Sequence, residues 1–98
     1  MNMQNLMAQA QKMQREITTK KEKINGMIFP GKYEWVEVSF NGNKEIQSFK
    51  ILKSGVITEE DKDILEDMIL LAIKDSFKKI DEETEKELGK YSAMNGMF

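Results

Sequence analysis

Cysteine and histidine are both absent from this 98-residue chain. Their absence excludes disulfides, thiol nucleophiles, Cys/His zinc sites and imidazole acid–base chemistry. Proline occurs once, at Pro30, where it forbids continuation of a helix. No uninterrupted apolar run is longer than the six residues Met68–Ile73, far short of a membrane span. The start, Met1-Asn2-Met3-Gln4-Asn5-Leu6, has neither a basic segment nor an apolar core, so it does not read as a signal peptide. Asn2 excludes N-myristoylation. The expectation is a cytoplasmic protein without a membrane partner.

What is present reads as one small globular unit, with 40% apolar and 33% charged residues. A monomer of this size buries only about two-thirds of the surface its unfolded chain exposes. Such chains often draw on disulfides, a metal or a partner subunit for stability. Without Cys or His, the partner subunit is the source that remains.

Residues 3–25 carry a helical heptad pattern. Met3, Ala10, Ile17 and Ile24 take the a positions, Leu6 and Met13 the d positions, and Lys20 the remaining d slot. Asn25-Gly26 supplies a stop. So narrow a stripe on so long a helix needs a partner, in the same chain or another. Phe29-Pro30-Gly31 reads as a break, and a short strand around Met27–Phe29 is only weakly signalled. From Lys32 the period becomes two: Val36, Val38 and Phe40 face one way, Tyr33, Trp35, Glu37 and Ser39 the other. Asn41-Gly42-Asn43 marks a tight turn. The next strand, about Lys44–Leu52, breaks parity once; either Ile46 faces the opposite side or a bulge sits near Gln47.

Thr58 opens the last helix, with Asp61 at capping-box spacing and Glu59, Glu60 and Asp61 in the first turn. The helix is expected to run to about Leu88, before Gly89. Its centre, Met68–Ile73, is apolar around most of its circumference, and one hairpin can cover only one face of it. The uncovered surplus argues for a dimer, with Val36, Val38, Met68, Leu71 and Ala72 as its interface. The pattern places one domain at residues 1–90 and a flexible tail at 91–98. The fold class is α+β: a long N-terminal helix, an antiparallel hairpin or three-stranded sheet, and a long C-terminal helix.

Chemistry-bearing constellations are few. Glu59–Asp63 lacks the alternating ligands and sixth-position glycine of a calcium loop and reads as helix N-terminal charge. Glu82 with Lys86 and Asp75 with Lys79 stand four apart in the favourable order, which describes a solvated helix face. Carboxylates are the only acid–base groups left, with no nucleophile motif or phosphate-cradling loop beside them. The expectation is no enzyme, no metal, no cofactor and no small-molecule substrate. Met3, Met7 and Met13 read as adaptable interface filler rather than soft-metal ligands. Trp35 and Tyr33 have the chemistry to stack on bases, but the better reading packs them under a helix or at a dimer contact.

The net charge of −2 argues against nucleic acid only as an average. Residues 1–25 hold five basic side chains (Lys12, Arg15, Lys20, Lys21, Lys23) against two acidic ones, a local +3. Residues 61–98 hold six lysines against ten acids, a local −4. A basic helix attracts phosphate through its local field whatever the total. The bland alternative is a solvated coiled-coil face, which would make the chain a dimeric coiled-coil adaptor that docks another helix through Leu6, Met13 and Ile17.

The opening Met1-Asn2-Met3-Gln4-Asn5-Leu6-Met7 with Gln9-Ala10-Gln11-Lys12-Met13-Gln14 resembles the start of the YbaB/EbfC family of bacterial nucleoid-associated proteins. The hairpin Val36–Gly42 and the segment Leu65–Ile69, followed by Ala72, Asp75 and Lys79, resemble it too. The chain differs at Phe29–Trp35, where the family tends to be glycine-rich, and at Phe77 and Ile80. The resemblance implies a homodimer with projecting helices that binds double-stranded DNA without enzymatic activity and with limited sequence specificity, located in the nucleoid. On that basis the five basic residues of the first helix are the candidate phosphate contacts. Lys79 and Lys86 are secondary candidates.

Overall fold

A computed structural model describes residues 2–95. In chain order it has helix α1 (Met3–Asn25), strands β1 (Ile28–Tyr33), β2 (Val36–Asn41) and β3 (Ile46–Ile51), a 3-10 turn at Glu59–Asp61, and helix α2 (Lys62–Asn95). The sheet is antiparallel in the order β1-β2-β3, so the three-stranded alternative is the one adopted. The molecule is 70 Å long and 20 by 15 Å across. Its radius of gyration is 19.4 Å, against about 13 Å for a compact chain of this length. Helix α2, at about 1.5 Å per residue, is the beam along which everything else is arranged.

Alternation in β2 sets the core. Val36 and Val38 are fully buried and Phe40 nearly so, packed with Met68, Ala72 and Ile80 of α2 and Phe29 of β1. The Phe40 ring meets Phe77 edge-on at 4.9 Å. Register slips once, between Ser39 and Phe40, so that Ser48 and Ile46 are successive partners and Gln47 is the extra residue. The bulge accounts for the broken parity of β3.

The Phe29-Pro30-Gly31 segment is not a break but the middle of β1. Pro30 pairs with Ser39 on an edge strand, where a missing N–H leaves no ladder bond unmade. Helix α2 seals that edge: Asp75 accepts from the Lys32 N–H at 3.0 Å, and Lys79 donates to the Pro30 carbonyl at 2.7 Å. The buried Ser76 hydroxyl donates to the Phe29 carbonyl at 2.6 Å. Gly31 is required by the crossing, because a Cβ there would lie 2.1 Å from the Ala72 carbonyl oxygen.

Tyr33 and Trp35 do not share a strand face. Tyr33 ends β1 and is exposed; Trp35 belongs to the turn, half-buried, with the Lys53 ammonium 5.1 Å above its ring. Thr58 donates its N–H to the Asp61 carboxylate at 2.8 Å, so the expected cap forms, on a 3-10 turn that leads into α2. That bond holds the Asp61 carboxyl below its usual pKa.

Gly89 does not end α2. The helix continues to Asn95, and Leu88 and Tyr91 on either side of the glycine are buried with Ile17 and Ile24 of α1. Residues 91–95 of the expected tail are therefore helical, and residues 96–98 lie outside the described residues. Of the five expected interface residues, Val36, Val38, Met68 and Ala72 are buried within the single chain, between the sheet and α2. They form the chain's own core. Leu71 alone, 37% exposed, stays at the surface.

Candidate nucleic-acid interface

Helix α1 runs antiparallel to the end of α2, as the pairings of Lys20 with Glu87 and of Glu16 with Tyr91 require. Its heptad seam is used only in its second half. Ile17 and Ile24 are buried, whereas Met3, Leu6 and Met7 at the tip are 71%, 40% and 59% exposed. The tip opens with Asn2, whose side chain accepts from the Gln4 N–H at 2.9 Å. No acidic residue precedes Glu16, so the partial positive charge of the first turn meets no acid there.

The five basic residues of α1 divide by what surrounds them. Lys12 and Arg15 are exposed and carry no ion pair among the described residues. They border a shallow surface with Glu16, Thr19 and Lys20. Lys20 is the most confined. Its ammonium stands 4.0 Å from the Glu87 carboxylate, donates to the Glu87 carbonyl at 3.4 Å and lies 5.3 Å over the Tyr91 ring. Lys23 also faces Glu87, at 3.9 Å, but its side chain is 64% exposed. Lys21 is exposed on a different side, near Gly42 and Asn43 of the β2–β3 turn.

The two secondary candidates on α2 separate further. Lys79 is committed to the Pro30 carbonyl and to Asp75 at 3.5 Å, which gives it a structural task at the sheet edge. Lys86 is exposed beside Asp81, Glu82 and Glu85, whose charge opposes any attraction to phosphate. The structure adds Lys90, which the expected helix end at Gly89 concealed. It stands with Lys12, Gln9, Glu16 and Tyr91 around a cleft of about 330 Å³ between the helices. Lys90 follows Lys86 by four residues, and that spacing was the signal available in the sequence.

A second surface lies at the other end of the sheet. Ile46, Phe49 and Ile51 oppose Phe40, Val38 and Val36 and so share the helix-facing side of the sheet. Yet they are 59%, 43% and 41% exposed, because α2 lies over β1 and β2 and leaves β3 bare. Leu70, 60% exposed, stands one turn from Ile73 and two from Phe77 on the flank of α2 whose Phe77 ring meets Phe40. The result is an apolar ledge beside an open strand edge. No group of three or more acidic side chains converges as metal ligands among the described residues, and none of their helices is long and apolar enough to cross a membrane.

The chain is thus a small α+β protein with a basic helical arm and one bare sheet edge. The sequence model of the YbaB/EbfC DNA-binding family matches residues 1–97, and the chain belongs to that family. A nucleoid-associated protein of Enterococcus faecalis is 39% identical over 93 residues, covering 93% of this chain and 88% of its own length. A nucleoid-associated protein of Lactococcus lactis is 39% identical over 94 residues, 94% of each chain. The crystal structure of an uncharacterized Helicobacter pylori protein superposes with a TM-score of 0.70 at 27% identity, covering 100% of this chain and 99% of that one.

Proposed function

We propose that this chain is a nucleoid-associated protein that binds double-stranded DNA as a homodimer and helps organise the chromosome. The observation that carries the reading is the exposed basic pair Lys12 and Arg15 on an arm with no acidic residue before Glu16, in a chain whose relatives are named nucleoid-associated proteins. Lys23 and Lys90 extend that surface. Lysines meet phosphate as point charges and carry no base information, so sequence preference is weak.

The homodimer rests on the two unequal edges of the sheet. At β1, Pro30 has no N–H to give, and α2 takes the Lys32 N–H and the Pro30 carbonyl. At β3, Ile46, Phe49 and Ile51 are left uncovered by the described residues. A second copy that places its own apolar surface over this ledge supplies the burial that a chain of this size lacks.

The test is binding to a mixed-sequence duplex at low and moderate salt. The affinity is expected to fall with salt at a log–log slope of about 0.9 per phosphate neutralised. Reversing Lys12 and Arg15 to Glu is expected to weaken binding at least tenfold without dissociating the dimer. Absence of binding at low salt overturns the reading.

A further inference from the structure

One carboxylate occupies the centre of the basic surface. The two oxygens of Glu87 face different lysines of α1, Oε2 toward Lys20 at 4.0 Å and Oε1 toward Lys23 at 3.9 Å. The Glu87 side chain is 19% exposed, so it sits between the ammonium groups rather than waving beside them. Holding the helices together does not require this charge. Ile17, Ile24, Leu88 and Tyr91 are buried there already, and the Tyr91 hydroxyl bonds to Glu16. Ion pairs as long as these, 3.9 and 4.0 Å, add little to stability. What the carboxylate does change is the field that an incoming phosphate meets. It neutralises the partners a phosphate would take and repels the phosphate itself.

We propose that Glu87 is a built-in competitor for DNA phosphate at Lys20 and Lys23, and that it sets the affinity of the α1 arm. The inference rests on the DNA-binding reading above. In the free protein the carboxylate stands where a phosphate would stand. On binding, Lys23, whose side chain is 64% exposed, turns outward most readily, while Lys20 remains tied to the Glu87 carbonyl and the Tyr91 ring. The arm therefore holds DNA more loosely, and exchanges it faster, than its five basic residues would permit if they were unopposed.

The experiment compares the wild-type protein with Glu87→Gln on one mixed-sequence duplex across a salt series. Glu87→Gln is expected to bind three- to tenfold more tightly at low salt, with a log–log salt slope steeper by about 0.9 for each lysine that gains a phosphate. Glu87→Met, which removes the charge but keeps the bulk, is expected to give the same gain. Glu60→Gln makes the same change in net charge about 40 Å away along the helical rise, and is expected to change affinity less than twofold. In a Lys20→Gln, Lys23→Gln background, Glu87→Gln is expected to have no effect, as a double-mutant cycle requires for a direct coupling. A merely structural Glu87 would not steepen the salt slope. The proposal is overturned if Glu87→Gln binds no more tightly than the wild type, if Glu60→Gln gains as much, or if the gain survives loss of both lysines. A wild-type protein that binds no DNA at low salt overturns the DNA-binding reading itself, and this inference with it.

Discussion

The Tyr91 hydroxyl donates to the Glu16 carboxylate at 3.0 Å, a bond between residues 75 apart in the sequence that clasps the end of α2 onto α1. The ring of Tyr91 is 4% exposed and belongs to the core, so Tyr91→Phe removes the bond and keeps the packing. A part-buried bond of this kind contributes about 1 kcal/mol. The expected outcome is a loss of that size in urea unfolding. The sheet is expected to stay intact, and amide exchange in residues 10–20 of α1 to rise. No change in exchange there would show that the apolar contacts alone hold the clasp.

Gly31 decides whether α2 can lie across β1. A Cβ at that position would stand 2.1 Å from the Ala72 carbonyl oxygen and 2.6 Å from the Ser76 nitrogen. Both are backbone atoms of a helix, which cannot step aside locally. Gly31→Ala is therefore expected to cost at least about 3 kcal/mol, at the upper end of overpacking penalties, and to lower the thermal midpoint by more than 10 °C. Ser76→Ala, which only frees the Phe29 carbonyl, is expected to cost about 1–3 kcal/mol.

Period-two alternation made Val36, Val38 and Phe40 legible, because burial on one face of a strand writes itself directly into sequence. The bulge at Gln47, as one of two alternatives, and the cap at Thr58 were legible for the same reason: each is local. Gly89 misled because its stop signal is also local, and packing of Leu88 and Tyr91 on α1 overrides it. Pro30 misled because a break and an edge strand ask the same thing of a proline. Val36 and Ala72 lie in the chain's own core, and an apolar pattern does not say whether the surface that covers it belongs to the same chain. The basic arm was visible as a cluster of charge. Its opposing carboxylate was not, since Glu87 lies 67 residues from Lys20.

Acid weakens the fold in a direction the carboxylates determine. Asp75 has a pKa below its usual 3.8, chiefly because its carboxylate accepts the Lys32 N–H, with Lys79 adding to the effect. A carboxyl whose folded-state pKa is depressed contributes stability above its unfolded value, and that contribution is lost as pH falls through the folded value. Stability is therefore expected to fall from about pH 4 downward. Asp75→Asn should make the protein less stable at neutral pH and its acid limb shallower. Denaturant midpoints at pH 7 and pH 3 would show this, and a wild-type acid limb no steeper than that of Asp75→Asn would exclude the Asp75 contribution.

The proposed homodimer depends on the ledge along β3. Phe49 lies at its centre, opposite the fully buried Val38 and 43% exposed. Phe49→Lys introduces two ammonium groups into a two-fold interface, because a symmetric dimer presents the same residue from both copies. Burying an unpaired charge is costly, while in the isolated chain the same lysine remains in water. The expected outcome is at least a hundredfold weaker dimer by sedimentation, with helix content little changed. Leu71→Lys, on the surface but away from the ledge, is expected to leave the dimer in place. A dimer that survives Phe49→Lys and dissociates with Leu71→Lys would move the interface to the other flank of α2. DNA binding should respond to the same substitution: if two arms grip one duplex, the Phe49→Lys monomer keeps one arm and loses avidity. Its affinity should fall by one to two orders of magnitude, and its salt slope should drop to about half.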